Sequence, residues 1–289
     1  MSFTVAMLLL AYSIADWTGA PRDIVWKIFV YGLAFAHYLL AFFYSKRQLQ
    51  QVTSSPSTLM AFLFVIALGI ALFATGFPLL VVFAIHHVFN EVFVLNRIVP
   101  KNDKKESSQF RCSSILLNLL LYFVLLRDTD LLKPLPIVWL FPALAAAYLL
   151  FGWCLLRIRP DMQPGDFIDA CFFEILGLVL LGISFFHSFT LLDIVFYHVA
   201  FWLFYPLPKF WKQGHAEAFN YLGWNLGISA AMMIITPLSF NNLGLPLTFF
   251  TTQFLFWSYI HITTSMGLST AHPKFITRWF RHRSTSAGV

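Results

Sequence analysis

Charged residues are scarce in this chain: Asp, Glu, Lys and Arg together make up only 11% of its 289 residues. Hydrophobic residues account for 59%, and the mean hydropathy of +0.74 lies far above that of a soluble globular domain. This composition leaves little chain for any soluble domain. We therefore predict an integral membrane protein whose partners lie in the bilayer and include no nucleic acid.

Closely spaced cysteines and histidine pairs of the HxxxH type are also lacking. Cys112, Cys154 and Cys171 are odd in number and scattered, with no CxxC pair. This pattern argues against a disulfide framework and against a thiolate metal site. No HxxxH pair occurs either. The membrane di-iron desaturases and hydroxylases, which use such pairs, are therefore a poor fit.

Long apolar runs are abundant, and a transmembrane helix needs about 20 predominantly apolar residues. The fold class that we predict is all-α, a polytopic membrane helix bundle of about ten transmembrane helices, with nine as the alternative. We read residues 1–272 as a single transmembrane domain and 273–289 as a basic cytoplasmic tail. The first run lacks the positive segment of a signal peptide, so we expect a retained span. The predicted spans are 3–17, 24–44, 58–75, 78–96, 110–126, 136–156, 167–186, 188–205, 217–236 and 246–268.

Lysine and arginine are unevenly distributed between the two sides of this ten-span topology. One side holds 15 of the 19 residues, and the other side holds four. By the positive-inside rule the first side is cytoplasmic. We therefore expect a multi-pass protein of the inner (cytoplasmic) membrane, with both termini in the cytoplasm.

Histidines recur within the even-numbered spans, at His37, at the pair His86 and His87, at His198 and at His261. Ionisable groups in a membrane cost several kcal/mol unless they are paired or face a polar cavity, so they mark function by default. Neutral imidazole is a common ligand of iron, copper and zinc. A proton relay and hydrogen bonding between helices are the alternatives.

The segment FAIHHVFNEVF contains the densest group of polar residues in these spans. Helical spacing pairs His86 with Asn90 and His87 with Glu91. Adjacent helical residues point about 100° apart, so only one histidine can face a given site squarely. A carboxylate such as Glu91 or Glu174 would accept a hydrogen bond from the nitrogen of a ligating imidazole that is not on the metal.

Five short segments resemble, in the same order, motifs of the Brp/Blh family, membrane dioxygenases that cleave β-carotene to retinal. The closest agreement runs from residue 172 to residue 198, where the family's spacing from glutamate to histidine is retained. His86 and Glu91 also keep the family's offset from histidine to carboxylate. The segments are AFAHYLLA at His37, AIHHVFNE at His86, FFEILGL at Glu174, IVFYHVAFW at His198 and YIHITTS at His261.

This resemblance implies a non-haem iron dioxygenase that holds Fe(2+) and cleaves a carotenoid with O2 inside the membrane lipids. The implied iron ligands are His37, His86, His198 and His261. Polar residues expected beside the ligands are His87, Asn90, Glu91, Glu174 and Asp193, and residues expected to line the substrate are Tyr197, Phe201 and Trp202.

Three positions depart from the family's pattern. Trp202 replaces the second histidine of its HSxRH motif, Ala41 the early aspartate and Met266 the late aspartate. The fourth ligand is therefore open between His261 and His87. A transporter or lipid-binding protein with an intramembrane His/Glu/Asp path, and an inactive relative of the family, remain the alternative functions.

Overall fold

The structure, a computed structural model, describes residues 19, 21–98, 104–133, 137–158, 172–243, 247–268 and 280. All of the regular secondary structure in these residues is helical. In chain order the helices are α1 (Arg22–Tyr44), α2 (Lys46–Thr53), α3 (Pro56–Ala74), α4 (Leu79–Ile98), α5 (Lys104–Leu125), α6 (Ile137–Ile158), α7 (Phe172–Ile183), α8 (Leu191–Phe204), α9 (Leu207–Gln213), α10 (His215–Leu243) and α11 (Leu247–Leu268).

Six segments of the described chain are long and apolar enough to cross a membrane. Five of them lie in α1, α3, α5, α6 and α10, and the sixth runs through the consecutive helices α8 and α9. Helices α4 and α7 contain shorter apolar stretches. Such lengths match the roughly 20 residues that a bilayer requires. The chain thus has the pattern of a multi-pass helical membrane protein. The six segments are Asp23–Tyr44, Pro56–Ala74, Ser108–Leu125, Val138–Arg157, Leu191–Gln213 and His215–Ile235.

Nine of the ten predicted spans coincide with a helix, and the tenth, 3–17, lies outside the described residues. The count of ten transmembrane helices therefore stays a prediction. The span predicted at 167–186 is described only from Phe172, and its helix ends at Ile183, where Ser184 begins a turn. Two short helices, α2 and α9, occupy segments that the sequence pattern assigned to connections.

Many large apolar side chains are exposed, and several polar side chains are buried. Met60, Phe64, Trp139 and Leu149 are each at least 66% exposed. This is the reverse of a soluble protein and suits contact with lipid chains. The buried polar side chains include His86, His87, His198, His261, Glu174, Asn90, Asn118 and Thr263.

The helices group into two compact units. Unit 1 comprises α1 to α3 and α8 to α11, and unit 2 comprises α4 to α7. In unit 1, α1 packs against α10 and α11, and α3 packs against α11. In unit 2, α5 packs against α6 and α7. The expectation of a single domain over 1–272 stays a prediction.

Glycines allow the helices of unit 1 to approach closely. A Cβ atom added at Gly32 would lie 2.7 Å from Met233 Cγ and 2.9 Å from the Ser229 carbonyl oxygen. One added at Gly69 would lie 2.6 Å from Thr263 Oγ1. Small residues at such crossings are typical of membrane bundles, where packing replaces the hydrophobic effect as the driving force.

The guanidinium group of Arg127, just after α5, forms hydrogen bonds that join two turns of unit 2. Arg127 Nη1 donates to the Val124 carbonyl oxygen at 2.9 Å and to Ser184 Oγ at 3.1 Å, and Nη2 donates to the Ser184 carbonyl oxygen at 2.6 Å. Ser188 Oγ donates to Asp128 Oδ2 at 2.8 Å nearby. These bonds join the turn that follows α5 to the turn that follows α7.

Candidate functional site

Three of the predicted histidines come together in the interior of unit 1. His37 of α1 lies between His198 of α8 and His261 of α11, with ring-centroid distances of 5.4 Å and 4.8 Å. The rings meet edge to face in both pairs, at 89° and 67°. Residues from three helices that are far apart in the sequence thus form one group, which we name the histidine cluster.

His37 occupies the centre of the histidine cluster, and its Nε2 atom is buried with no hydrogen-bond partner among the described residues. A buried polar nitrogen left in this state costs about 1 to 3 kcal/mol. Its lone pair or its proton is therefore not used by the described residues. This is the property expected of a group kept for a ligand.

Tyr38 and Ser258 hold His261 in place. The Tyr38 ring stacks on the His261 ring at 4.9 Å and 29°. The Tyr38 hydroxyl and Ser258 Oγ share a buried hydrogen bond of 2.7 Å, and Ser258 Oγ lies 2.7 Å from the Phe254 carbonyl oxygen, within donating distance. The side chain next to His37 in the sequence therefore positions the imidazole of His261.

An aromatic group surrounds His198. The Trp202 ring lies 6.4 Å from the His198 ring, one turn further along α8. Phe201 contacts both Trp202 and Tyr205, with ring-centroid distances of 5.5 Å and 5.1 Å. The Trp202 carbonyl oxygen accepts a hydrogen bond of 2.8 Å from the Tyr221 hydroxyl. Trp202 thus lies beside the histidine cluster, and Phe201 lies next to it.

Two other residues predicted for the site, Asp193 and Tyr197, are half-buried in α8. Asp193 Oδ1 accepts a hydrogen bond of 3.2 Å from Trp26 Nε1. The Trp26 ring also packs on Phe196 at 4.8 Å. Asp193 thus helps to join α1 to α8, the two helices that carry His37 and His198.

His86 and His87 belong to unit 2, and their environments differ. Asn90 Nδ2 lies 3.1 Å from His86 Nε2, so the pairing expected at helical spacing is present. The His87 ring lies 5.1 Å from the Tyr122 ring of α5. His87 thus contacts a neighbouring helix of unit 2. To bind a metal through Nε2, His86 would first have to give up its bond to Asn90.

The two glutamates predicted for the site lie in different parts of unit 2. Glu174 is 3% exposed in the first turn of α7, and its backbone carbonyl accepts a hydrogen bond of 3.1 Å from the Tyr148 hydroxyl. Glu91 belongs to α4, and its side chain lies outside the described part of the structure. The expectation that these two carboxylates lie beside the metal ligands therefore stays a prediction.

Imidazoles are a donor type that suits a divalent metal ion, and the ring spacing in the histidine cluster can be compared with that of a metal site. Two imidazoles that bind one ion through bonds of about 2.1 Å place their ring centroids roughly 4.5 to 5.5 Å apart, which matches both pairs. As placed, however, no group of three or more His, Cys, Asp or Glu side chains among the described residues is arranged to hold an ion. The nitrogens would have to turn towards one point before binding.

Tyr38, Ser258 and Trp26 are the neighbours of the site that sequence reasoning missed. Tyr38 follows His37 directly, and Ser258 precedes His261 by three residues, about one helical turn. These spacings place each residue near a candidate ligand. Nothing in the sequence, however, indicates that Tyr38 and Ser258 contact each other.

Comparison with protein-family models, with curated proteins and with solved structures finds no match to this chain.

Proposed function

We propose that this chain is a membrane metalloprotein whose histidine cluster binds iron, and that it acts as an oxygenase on a lipid-soluble polyene. The observation that carries the proposal is the position of His37 between His198 and His261, with its Nε2 buried and unused. Three neutral imidazoles bring no negative charge of their own. They suit a divalent ion that must keep positions open for other ligands.

The protein residues that would hold the metal are His37, His198 and His261. A bound iron ion with open positions would supply the binding and activation of O2. Tyr38 keeps the His261 imidazole in its orientation through stacking and through its bond to Ser258.

The reaction that we propose is oxidative cleavage of one C=C bond. Both atoms of O2 are incorporated, the double bond is broken and two aldehydes are released, so no other oxidant or reductant is needed. Trp202 and Phe201 would present aromatic faces to an apolar chain beside His198, and they would exclude water from the reacting bond. A carotenoid dissolved in the bilayer could then enter between the helices.

Expression in bacteria that accumulate β-carotene tests this function. We expect loss of the cell colour and accumulation of retinal, with both aldehyde oxygens labelled when ¹⁸O₂ is supplied. His37→Ala should abolish the cleavage, whereas His187→Ala, at an exposed position outside the histidine cluster, should retain it. Persistent colour in cells that hold folded, membrane-inserted protein and sufficient iron would overturn the assignment of this substrate.

A second candidate function is an intramembrane path for protons or a polar substrate. The observation that favours it is that, among the described residues, no three His, Cys, Asp or Glu side chains are arranged around one point where a metal ion could bind. In this case the buried imidazoles would exchange protons along the cluster instead of binding an ion. Proton flux into proteoliposomes that is lost in His37→Ala, from protein that binds no iron, would support this function over the first.

A further inference from the structure

Unit 1 carries a basic and aromatic surface at the end where α1 stops. The Tyr44 ring, at the last residue of α1, lies 5.5 Å from Phe210 of α9 and 5.6 Å from Tyr221 of α10. Phe210 and Tyr221 stack on each other at 4.7 Å. These contacts bring the start of α2, two residues after Tyr44, next to α9.

The side chains of this surface define what we name the basic aromatic patch. Every member is exposed, and Trp211 remains 48% exposed despite contacts with His215 at 4.6 Å and Phe219 at 6.1 Å. The patch contains four cations, three lysines and one arginine. Glu217, also exposed, adds one negative charge in the first turn of α10, so the net charge of the region stays positive. The members of the patch are Lys46, Arg47, Lys209, Trp211 and Lys212.

The cations of α2 are turned outwards by the packing of its other side. Val52 is 1% exposed in a cluster with Phe62 of α3 and Leu268 of α11, and Leu49 packs against this cluster. The Val52 carbonyl oxygen also accepts a hydrogen bond of 2.6 Å from Thr58 Oγ1. Because the apolar side of α2 is covered by the protein itself, Lys46 and Arg47 are available to a partner outside unit 1.

We propose that the basic aromatic patch binds the headgroups of anionic phospholipids. One candidate span, Asp23–Tyr44, ends two residues before Lys46, and another, Leu191–Gln213, ends one residue after Lys212, so the patch lies at the ends of two apolar segments. Lysine and arginine at such a boundary attract anionic lipids, and tryptophan and tyrosine settle at the level of the headgroups. The inference concerns a surface separate from the histidine cluster and does not depend on iron.

The test uses the purified full-length chain in micelles that contain phosphatidylglycerol and phosphatidylcholine in equal amounts. Native mass spectrometry counts the molecules of each lipid that stay bound. We expect wild-type protein to retain phosphatidylglycerol preferentially. The double variant Lys209→Gln/Lys212→Gln should lower the ratio of bound phosphatidylglycerol to phosphatidylcholine by roughly 10- to 30-fold. Lys209→Arg/Lys212→Arg should keep the ratio.

The matched control is Lys27→Gln/Lys133→Gln, which removes the same charge outside the patch and should leave the ratio unchanged. Should the Lys209 and Lys212 variant fail to fold, Lys46→Gln/Arg47→Gln gives the same test. Equal loss in the control, an unchanged ratio in both patch variants or no lipid preference in wild-type protein would overturn the proposal. Displacement of the lipid by inorganic phosphate or by an acidic peptide would also overturn it, in favour of those partners.

Discussion

The imidazole rings of His37 and His261 lie 4.8 Å apart, on helices from opposite ends of the sequence of unit 1. His37 Nε2 has no hydrogen-bond partner among the described residues, although it is buried. A buried polar nitrogen in this state costs about 1 to 3 kcal/mol of stability.

The first prediction concerns that cost. His37→Leu should raise the free energy of unfolding of the metal-free protein by about 1 kcal/mol, because it removes an unsatisfied buried nitrogen. His86→Leu should have the opposite sign, because it breaks the bond to Asn90. Reversible unfolding in mixed detergent micelles measures both values. If His37→Leu instead has a lower free energy of unfolding than the wild type, the role of the His37 ring is structural.

The second prediction concerns Tyr38. Tyr38→Phe keeps the stacking on His261 but loses the bond to Ser258, and should cost about 1 kcal/mol of unfolding free energy. Tyr38→Leu also loses the stacking and should cost more. In a double-mutant cycle, Tyr38→Phe and Ser258→Ala should be non-additive. Additive effects on the unfolding free energy would show that the two hydroxyl groups do not act on each other.

The third prediction concerns the crossing of α3 and α11. Gly69→Ala places a methyl group 2.6 Å from Thr263 Oγ1 and 3.1 Å from the Tyr259 carbonyl oxygen, so the Thr263 side chain or the two helices must shift. We expect a loss of about 1 to 3 kcal/mol in unfolding free energy. Gly227→Ala is the control, because its added methyl group meets nothing within 4 Å. Equal stability of the two variants would contradict this close packing.

The fourth prediction concerns Arg127. Arg127→Lys keeps the positive charge, but a lysine has no planar guanidinium group that could bond to Val124 and Ser184 at the same time. We therefore expect the free energy of unfolding to fall by about 1 to 3 kcal/mol. Lys133→Gln removes an exposed ion pair with Asp130 at 2.7 Å and should leave stability unchanged. If Arg127→Lys has wild-type stability, charge alone accounts for the role of Arg127.

Sequence periodicity predicted the helices well because each apolar run of membrane length has one stable conformation in lipid, the helix. The runs at 24–44, 58–75 and 136–156 differ from α1, α3 and α6 by no more than two residues at either end. The short helices α2 and α9 could not be predicted in this way. Their polar sequences become helical where they lie against the ends of longer helices, and hydropathy does not report such contacts.

The resemblance predicted that His37, His198 and His261 lie together, whereas their packing partners Tyr38 and Ser258 were not predicted. Buried histidine in an apolar span is visible in the sequence, and His37, His198 and His261 do meet in unit 1. His86 has the same sequence character, yet its Nε2 bonds to Asn90 in unit 2. Helix rotation and tertiary packing decide which imidazoles face one another. The periodicity of a single sequence does not report which helix faces pack against each other.

The metal content of the purified protein tests the central claim most directly. Iron should be measured by elemental analysis in full-length protein purified from iron-supplied cells, with His187→Ala as the matched control for removal of a histidine. We predict one iron per chain in the wild type and in the control, and a loss of at least 90% in His37→Ala, His198→Ala and His261→Ala. Folded wild-type protein without iron, or iron that persists in all three variants, would contradict the account.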